Sequence, residues 1–126
     1  MLANCHLQTV LGTALRRPAL LPGLRRQRIE LTDGDFIDVD ISEPEIPSHS
    51  DRPWTLVLHG LEGSSRSSYV RGITAALVAA GCEVCVVNYR GCSGEPNRLA
   101  RAYHAGETAD VLEVLERLNA ERAGRP

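Results

Sequence analysis

Residues 55–65 read Thr-Leu-Val-Leu-His-Gly-Leu-Glu-Gly-Ser-Ser. An apolar run climbs to His59, a Gly-x-x-Gly turn interrupts it, and a serine pair opens the next segment. The run shows no polar alternation, which is the pattern of a strand buried on both faces. It therefore predicts a strand that delivers a loop to the edge of an open sheet, where free backbone N–H groups can meet developing negative charge.

The rest of the chain supplies what such a strand needs. Helical spacing runs from about Ser67 to Ala80, with Val70, Ile73, Leu77 and Ala80 on one face and Gly81 as terminator. A second both-faces-buried strand follows at Val84 to Val87. Glu107 to Arg122 carries Val111, Val114, Leu115 and Leu118 at helical spacing. Two strands joined by a crossover helix imply a parallel α/β arrangement.

Upstream, Arg28–Thr32 and Phe36–Ile41 alternate apolar and polar residues around Asp33-Gly34, a two-residue hairpin signal in which both central positions tolerate positive φ. Asp33, Asp35, Asp38 and Asp40 lack the distal glutamate of a calcium loop and are expected on the wet face of an edge hairpin. Ser42 to Pro53 reads as a proline-rich surface loop, Asn88 to Gly106 as a long Arg-, Gly- and Pro-rich loop. Leu7 to Arg17 suits a helix stopped by Pro18. The expected organisation is a basic helical segment over residues 1–25 and a partial α/β domain over 26–126.

Composition narrows the chemistry. The chain has 126 residues, 43% hydrophobic and 24% charged, with a net charge of −2 that gives no reason to expect a nucleic-acid partner. The first 29 residues carry +5 and the remainder −7. All basic side chains are arginine, which excludes a lysine Schiff base or a phosphate-loop lysine within this stretch. No run of about 18 apolar residues is present to span a membrane, leaving only peripheral contact. Residues 1–29 resemble an organelle transit segment in composition, against the simpler reading of a solvated surface helix.

Cys82 and Cys85 form a C-x-x-C, with Cys92 and His104 downstream. Strand residues three apart point to opposite faces, so the pair is expected to be structural, in a reducing, cytoplasmic setting, with no metal.

Other chemistry-bearing residues cluster after the second buried strand. Gly91-Cys-Ser93-Gly94 is one residue short of a G-x-S-x-G elbow, so Ser93 is expected to be a turn residue. Arg90 could bind a substrate carboxylate, but pairing with Glu95 or Glu107 is the structural expectation. His104 could serve as a base, although it has no serine before it to activate. His59 is expected to fix its own loop by hydrogen bonding, since no paired nucleophile accompanies it. Neither G-x-G-x-x-G nor a phosphate-loop signature is present around Gly60 and Gly63.

Taken in order, Asn4-x-His6-Leu-Gln-Thr9, Asp33-Gly34-Asp35, His59 to Ser65, Asn88-Tyr-Arg-Gly-Cys-Ser-Gly-Glu95 and Tyr103-His-Ala-Gly-Glu-Thr108 resemble the YheT-type α/β hydrolases and their eukaryotic abhydrolase relatives. The resemblance covers nearly the whole chain. It implies the N-terminal part of an α/β-hydrolase fold, a β-hairpin followed by β-α-β-α of a mostly parallel and incomplete sheet.

It also implies a serine carboxylic ester hydrolase with short-chain or monoacylglycerol-type substrates and no cofactor. The oxyanion loop maps onto His59, Gly60 and Leu61, and the triad serine, acid and histidine are expected after Pro126. Acyl length, leaving alcohol and oligomeric state would be set by residues beyond this stretch. The alternative is a catalytically empty α/β module that binds a small ligand or a partner chain.

Overall fold

The computed structural model describes residues 23–42 and 53–123. The helix expected over Leu7–Arg17, most of the 1–25 segment and the interior of the Ser42–Pro53 loop lie outside the described residues. Four strands and two helices follow in the expected order: β1 Leu24–Glu30, β2 Phe36–Ser42, β3 Trp54–Leu58, α1 Ser68–Ala79, β4 Glu83–Asn88 and α2 Ala109–Ala123.

The strands form one sheet in the order β1-β2-β4-β3. β1 and β2 are antiparallel, β2 and β4 antiparallel, and β3 and β4 parallel across the α1 crossover. The described sheet is thus mixed, with its parallel part at β3 and β4. Because those two strands run the same way, the loops that leave them emerge at one edge.

β4 is the centre of the core. Its alternate residues enter two clusters on opposite faces of the sheet. Cys85 and Val87 join Ile29, Ile37, Val39 and Ile41 beneath Val114 and Leu118 of α2. Val84 and Val86 join Val57 beneath Val70 of α1. Each fully buried aliphatic side chain contributes roughly 1.5–3 kcal/mol, so this strand alone anchors much of the fold.

Cys82 packs with the α1 cluster while Cys85 sits in the other. Burial, helped by Asp40 and Glu83, pushes the Cys85 thiol up to about 12. It stays a protonated, inert core group.

α1 ends as its sequence suggests. Gly81 takes φ +86°, the Cys82 N–H donates to Leu77 O at 3.0 Å, and the Gly81 N–H donates to Val78 O at 2.9 Å. That pair of bonds is a Schellman ending, which satisfies the last carbonyls of the helix. The buried face differs from expectation: Val70 and Thr74 are buried and Leu77 and Val78 half-buried, whereas Ile73 is exposed. The helix is rotated so that position 74 replaces 73 at the sheet.

Three other expectations are corrected. β3 is only partly covered on its two faces. It is an edge strand of the described sheet: Val57 is buried in the α1 cluster, Trp54 and Leu56 pack half-buried against the other cluster, and Leu58 is 45% exposed.

The hairpin turn has three residues, not two. The Leu31 N–H donates to Asp35 O and the Gly34 N–H to Leu31 O, so Thr32-Asp33-Gly34 form the loop and only Gly34, at φ +88°, is left-handed. Asp33 instead uses its carboxylate, accepting the Asp35 N–H at 3.0 Å.

Of the four hairpin aspartates only Asp33 is exposed as expected; the other three are not on a wet face. Asp35, Asp38 and Asp40 are at most 5% exposed. Arg26 stands opposite Asp40 and Arg28 opposite Asp38 in the β1–β2 register, and each pair is joined by two hydrogen bonds of 2.8 and 2.9 Å. The loop after β4 then covers them: Arg26 also reaches Ser93 O, and Arg28 reaches Glu95. The carboxylates can be buried because each is paired and the arginine stems form their lid.

Candidate active site

The loop after β3 is a tight turn. The Gly63 N–H donates to Gly60 O at 3.0 Å, and Glu62, at φ +54°, is the sole described non-glycine residue with positive φ. A left-handed glutamate costs of the order of 1–2 kcal/mol relative to ordinary backbone, a strain often stored at functional sites.

Gly63 is required by space. A Cβ there would lie 2.7 Å from Tyr69 Oη, 3.0 Å from Gly60 O and 3.1 Å from His59 Cβ. At Gly60 the nearest atom would be 3.5 Å away, an ordinary contact. The two glycines are therefore not equivalent, as the motif alone suggested.

His59 is buried and both its nitrogens are engaged. Nδ1 donates to Gly60 O at 2.8 Å, and Nε2 accepts the Tyr89 N–H at 3.2 Å. Those partners select the tautomer protonated on Nδ1. The ring ties the β3 loop to the β4 loop, the structural role expected for it, and leaves neither nitrogen facing a nucleophile.

Beneath it, Asn88 at the end of β4 accepts the Ser65 N–H and donates to Asp38 O and Asp40 Oδ2. Asn88 is 1% exposed, so this network fixes the serine end of the loop to the hairpin from inside.

The four amides of the turn divide unequally. The Gly60 N–H donates to Tyr69 Oη at 2.7 Å, the Glu62 N–H to Tyr103 Oη, and the Gly63 N–H to Gly60 O. The Leu61 N–H has no acceptor among the described residues, and the Leu61 side chain is 81% exposed.

Beside this amide lies an open cavity of about 170 Å³, lined by His59, Gly60, Leu61, Tyr89, Tyr103 and His104. Tyr89 and Tyr103 stack at 4.8 Å, and His59 meets both edge-on at 5.0 and 6.0 Å. Burial raises the pKa of both phenols, so both remain protonated donors at neutral pH. One exposed backbone donor beside an aromatic wall, at the edge where parallel strands end, is a place to bind a polarised carbonyl oxygen.

The other sequence candidates fall outside this constellation. Arg90 has a structural role, as expected, but with different partners: it pairs with Asp110, Asp35 and Asp33, while Glu95 pairs with Arg28 and Glu107 with Arg101. Its guanidinium is buried and held by three carboxylates, so it is closed to a substrate carboxylate.

Ser93 is a buried turn residue whose hydroxyl accepts the Glu95 N–H. His104 lines the cavity but is exposed, with Nδ1 accepting the Gly106 N–H. Among the described residues no serine hydroxyl meets a histidine nitrogen, and no group of His, Cys, Asp or Glu is disposed to hold a metal. No helix of the described residues is long and apolar enough to cross a membrane.

Sequence reasoning passed over Tyr69 and Tyr89 as site residues. Tyr69 lies nine positions from the amide it caps, inside a helix, and no local spacing rule links the two.

The chain is similar in sequence to several known proteins. The chain is 45% identical over 125 residues to YheT of Escherichia coli (strain K12), which carries a provisional esterase name, covering 98% of this chain and 36% of that protein. It is 37% identical over 70 residues to the monoacylglycerol lipase of Saccharomyces cerevisiae, covering 55% of this chain and 16% of the relative. To phospholipase ABHD3 of Bos taurus it is 30% identical over 116 residues, covering 86% and 28%.

The chain thus spans about a third or less of the length of these relatives. No family model matches it, and no solved structure matches it. In sequence and in fold, this chain groups with the YheT-type α/β hydrolases and their abhydrolase relatives.

Proposed function

We propose that this chain forms the oxyanion-binding side of a serine-type carboxylic ester hydrolase acting on short-chain or monoacylglycerol-like esters. The observation that carries the reading is the open Leu61 N–H beside the His59–Tyr89–Tyr103 cavity, in a turn whose other amides are all capped.

A substrate carbonyl oxygen accepts that N–H. When a serine hydroxyl adds to the carbonyl carbon, its proton passes to a histidine and the carbonyl electrons move onto oxygen. The amide holds the resulting anion without having to reorient, which is why such donors act on the transition state more than on the bound ester. Collapse expels the alcohol with the histidine's proton, and water then releases the acid. In this reading the serine, histidine and orienting acid are supplied from outside the described residues.

The test is turnover of p-nitrophenyl butyrate, together with labelling by a serine-directed fluorophosphonate. The product of the complete reading frame that carries these residues is expected to hydrolyse the ester and take up the label. The 126-residue chain alone is expected to do neither. A complete product that binds esters but never turns them over would favour a catalytically empty binding module and end the hydrolase reading.

A further inference from the structure

Tyr69 does more at this turn than cap Gly60. Its Oη accepts the Gly60 N–H at 2.7 Å, yet its own hydroxyl proton has no acceptor among the described residues. A phenol is donor and acceptor at once, and accepting one hydrogen bond strengthens the one it can donate.

The nitrogens of Gly60 and Leu61 are three bonds apart, and backbone geometry keeps them within about 3.6 Å. Tyr69 Oη therefore lies within roughly 6 Å of the Leu61 nitrogen, so one oxygen atom between them can be within hydrogen-bond reach of both. The side chain is 38% exposed, and its hydroxyl lies over Gly60 and Gly63, on the turn that carries the open amide.

We propose that Tyr69 is a catalytic residue, whose O–H is a second donor to the oxyanion alongside the Leu61 N–H. The Gly60 amide then acts through it, in the order Gly60 N–H to Tyr69 O–H to oxyanion. The packing is consistent with such a relay: Gly63 has no side chain, and a Cβ there would occupy the space of this hydroxyl. The inference rests on the ester-hydrolase reading of the site.

The experiment uses the complete product and p-nitrophenyl butyrate. Tyr69→Phe is expected to lower kcat by roughly 10²- to 10³-fold, in line with loss of one oxyanion donor, with KM within about twofold. A second variant keeps the clamp intact. Replacing Tyr69 with a fluorinated tyrosine, whose hydroxyl ionises nearer neutrality, retains an oxygen that accepts the Gly60 N–H but removes the donated proton as pH rises.

The expected result is an alkaline loss of kcat at a lower pH than in the unmodified enzyme. An unshifted profile, or a Tyr69→Phe kcat within twofold of the parent, overturns the inference while leaving the hydrolase reading intact. Absence of any turnover by the parent overturns both.

Discussion

Arg90 meets Asp110 through two hydrogen bonds, Nε to Oδ2 at 2.6 Å and Nη2 to Oδ1 at 2.8 Å, where the loop after β4 turns back towards α2. The same guanidinium reaches Asp35 and Asp33 of the hairpin turn. One side chain, 1% exposed, thus joins three segments distant in sequence. Arg90→Ala leaves Asp35 as a buried carboxylate without its cation and Asp110 with only Arg101, 3.7 Å away, and is expected to cost about 3–5 kcal/mol by urea denaturation. Arg98→Ala, which removes the exposed and solvent-screened pair with Glu30, should move the urea midpoint far less. Equal losses from the two substitutions would show that Arg90 is not the hub.

The same aspartates predict an acid limit. Burial pushes the Asp35 carboxyl upward, but hydrogen bonds from Asn97, the Arg98 and Phe36 amides and Arg90 outweigh it and hold the pKa at about 2. Asp33, Asp38 and Asp40 are also held below the ordinary aspartate value, burial being overcome at Asp33 by the Asp35 amide and Arg90 and at Asp38 and Asp40 chiefly by Arg28 and Arg26. A carboxyl whose folded pKa is depressed stabilises the fold fully above its unfolded value, and that contribution is lost as pH falls through the folded one. The urea midpoint should be steady down to about pH 5 and fall between about pH 4 and pH 2. Asp35→Asn, though less stable at neutrality, should show a shallower fall. A parallel fall in both proteins would assign the acid sensitivity elsewhere.

Much of this fold can be read from apolar periodicity. Val84 to Val87 lack polar alternation because β4 has a helix on each side, and Val114 and Leu118 mark the inward stripe of α2. The hairpin misleads for a reason that periodicity cannot carry. Asp38 and Asp40 alternate with Val39 and Ile41 as solvent-facing residues would. Their burial depends on the register that sets Arg28 and Arg26 opposite them, and on a loop some fifty residues later that closes over the pairs. The candidate loop was legible through His59, Gly60 and Leu61. How the neighbouring amides are capped was not, because the hydroxyls of Tyr69 and Tyr103 arrive from other elements.

The glycines of the turn should respond differently to a methyl group. Gly63→Ala forces a Cβ against the Gly60 carbonyl, the His59 Cβ and the Tyr69 hydroxyl, two of them parts that cannot swing aside. Overpacking of this kind costs about 1–3 kcal/mol. Gly60→Ala places its Cβ at van der Waals distance from Tyr69 Oη and should change stability by less than about 1 kcal/mol. Thermal melts of the two variants decide the matter, and a Gly63→Ala protein as stable as Gly60→Ala would contradict the packing described.

Leu61→Pro separates the chemistry of the turn from its architecture. Leu61 follows Gly60 at the second position of a four-residue turn closed by the Gly63 N–H to Gly60 O bond, where proline is favoured. Its own N–H makes no bond that proline would break, its side chain is 81% exposed, and the preceding glycine tolerates the restriction that proline imposes. The variant should therefore melt within a few degrees of the parent. If the Leu61 N–H holds the oxyanion, the complete product carrying this substitution should lose roughly 10²- to 10³-fold in kcat. Leu61→Ala keeps the amide and should retain kcat while raising KM, through loss of an apolar contact at the cavity mouth. A proline variant that folds and turns over ester at the parental rate would remove this amide from the reaction.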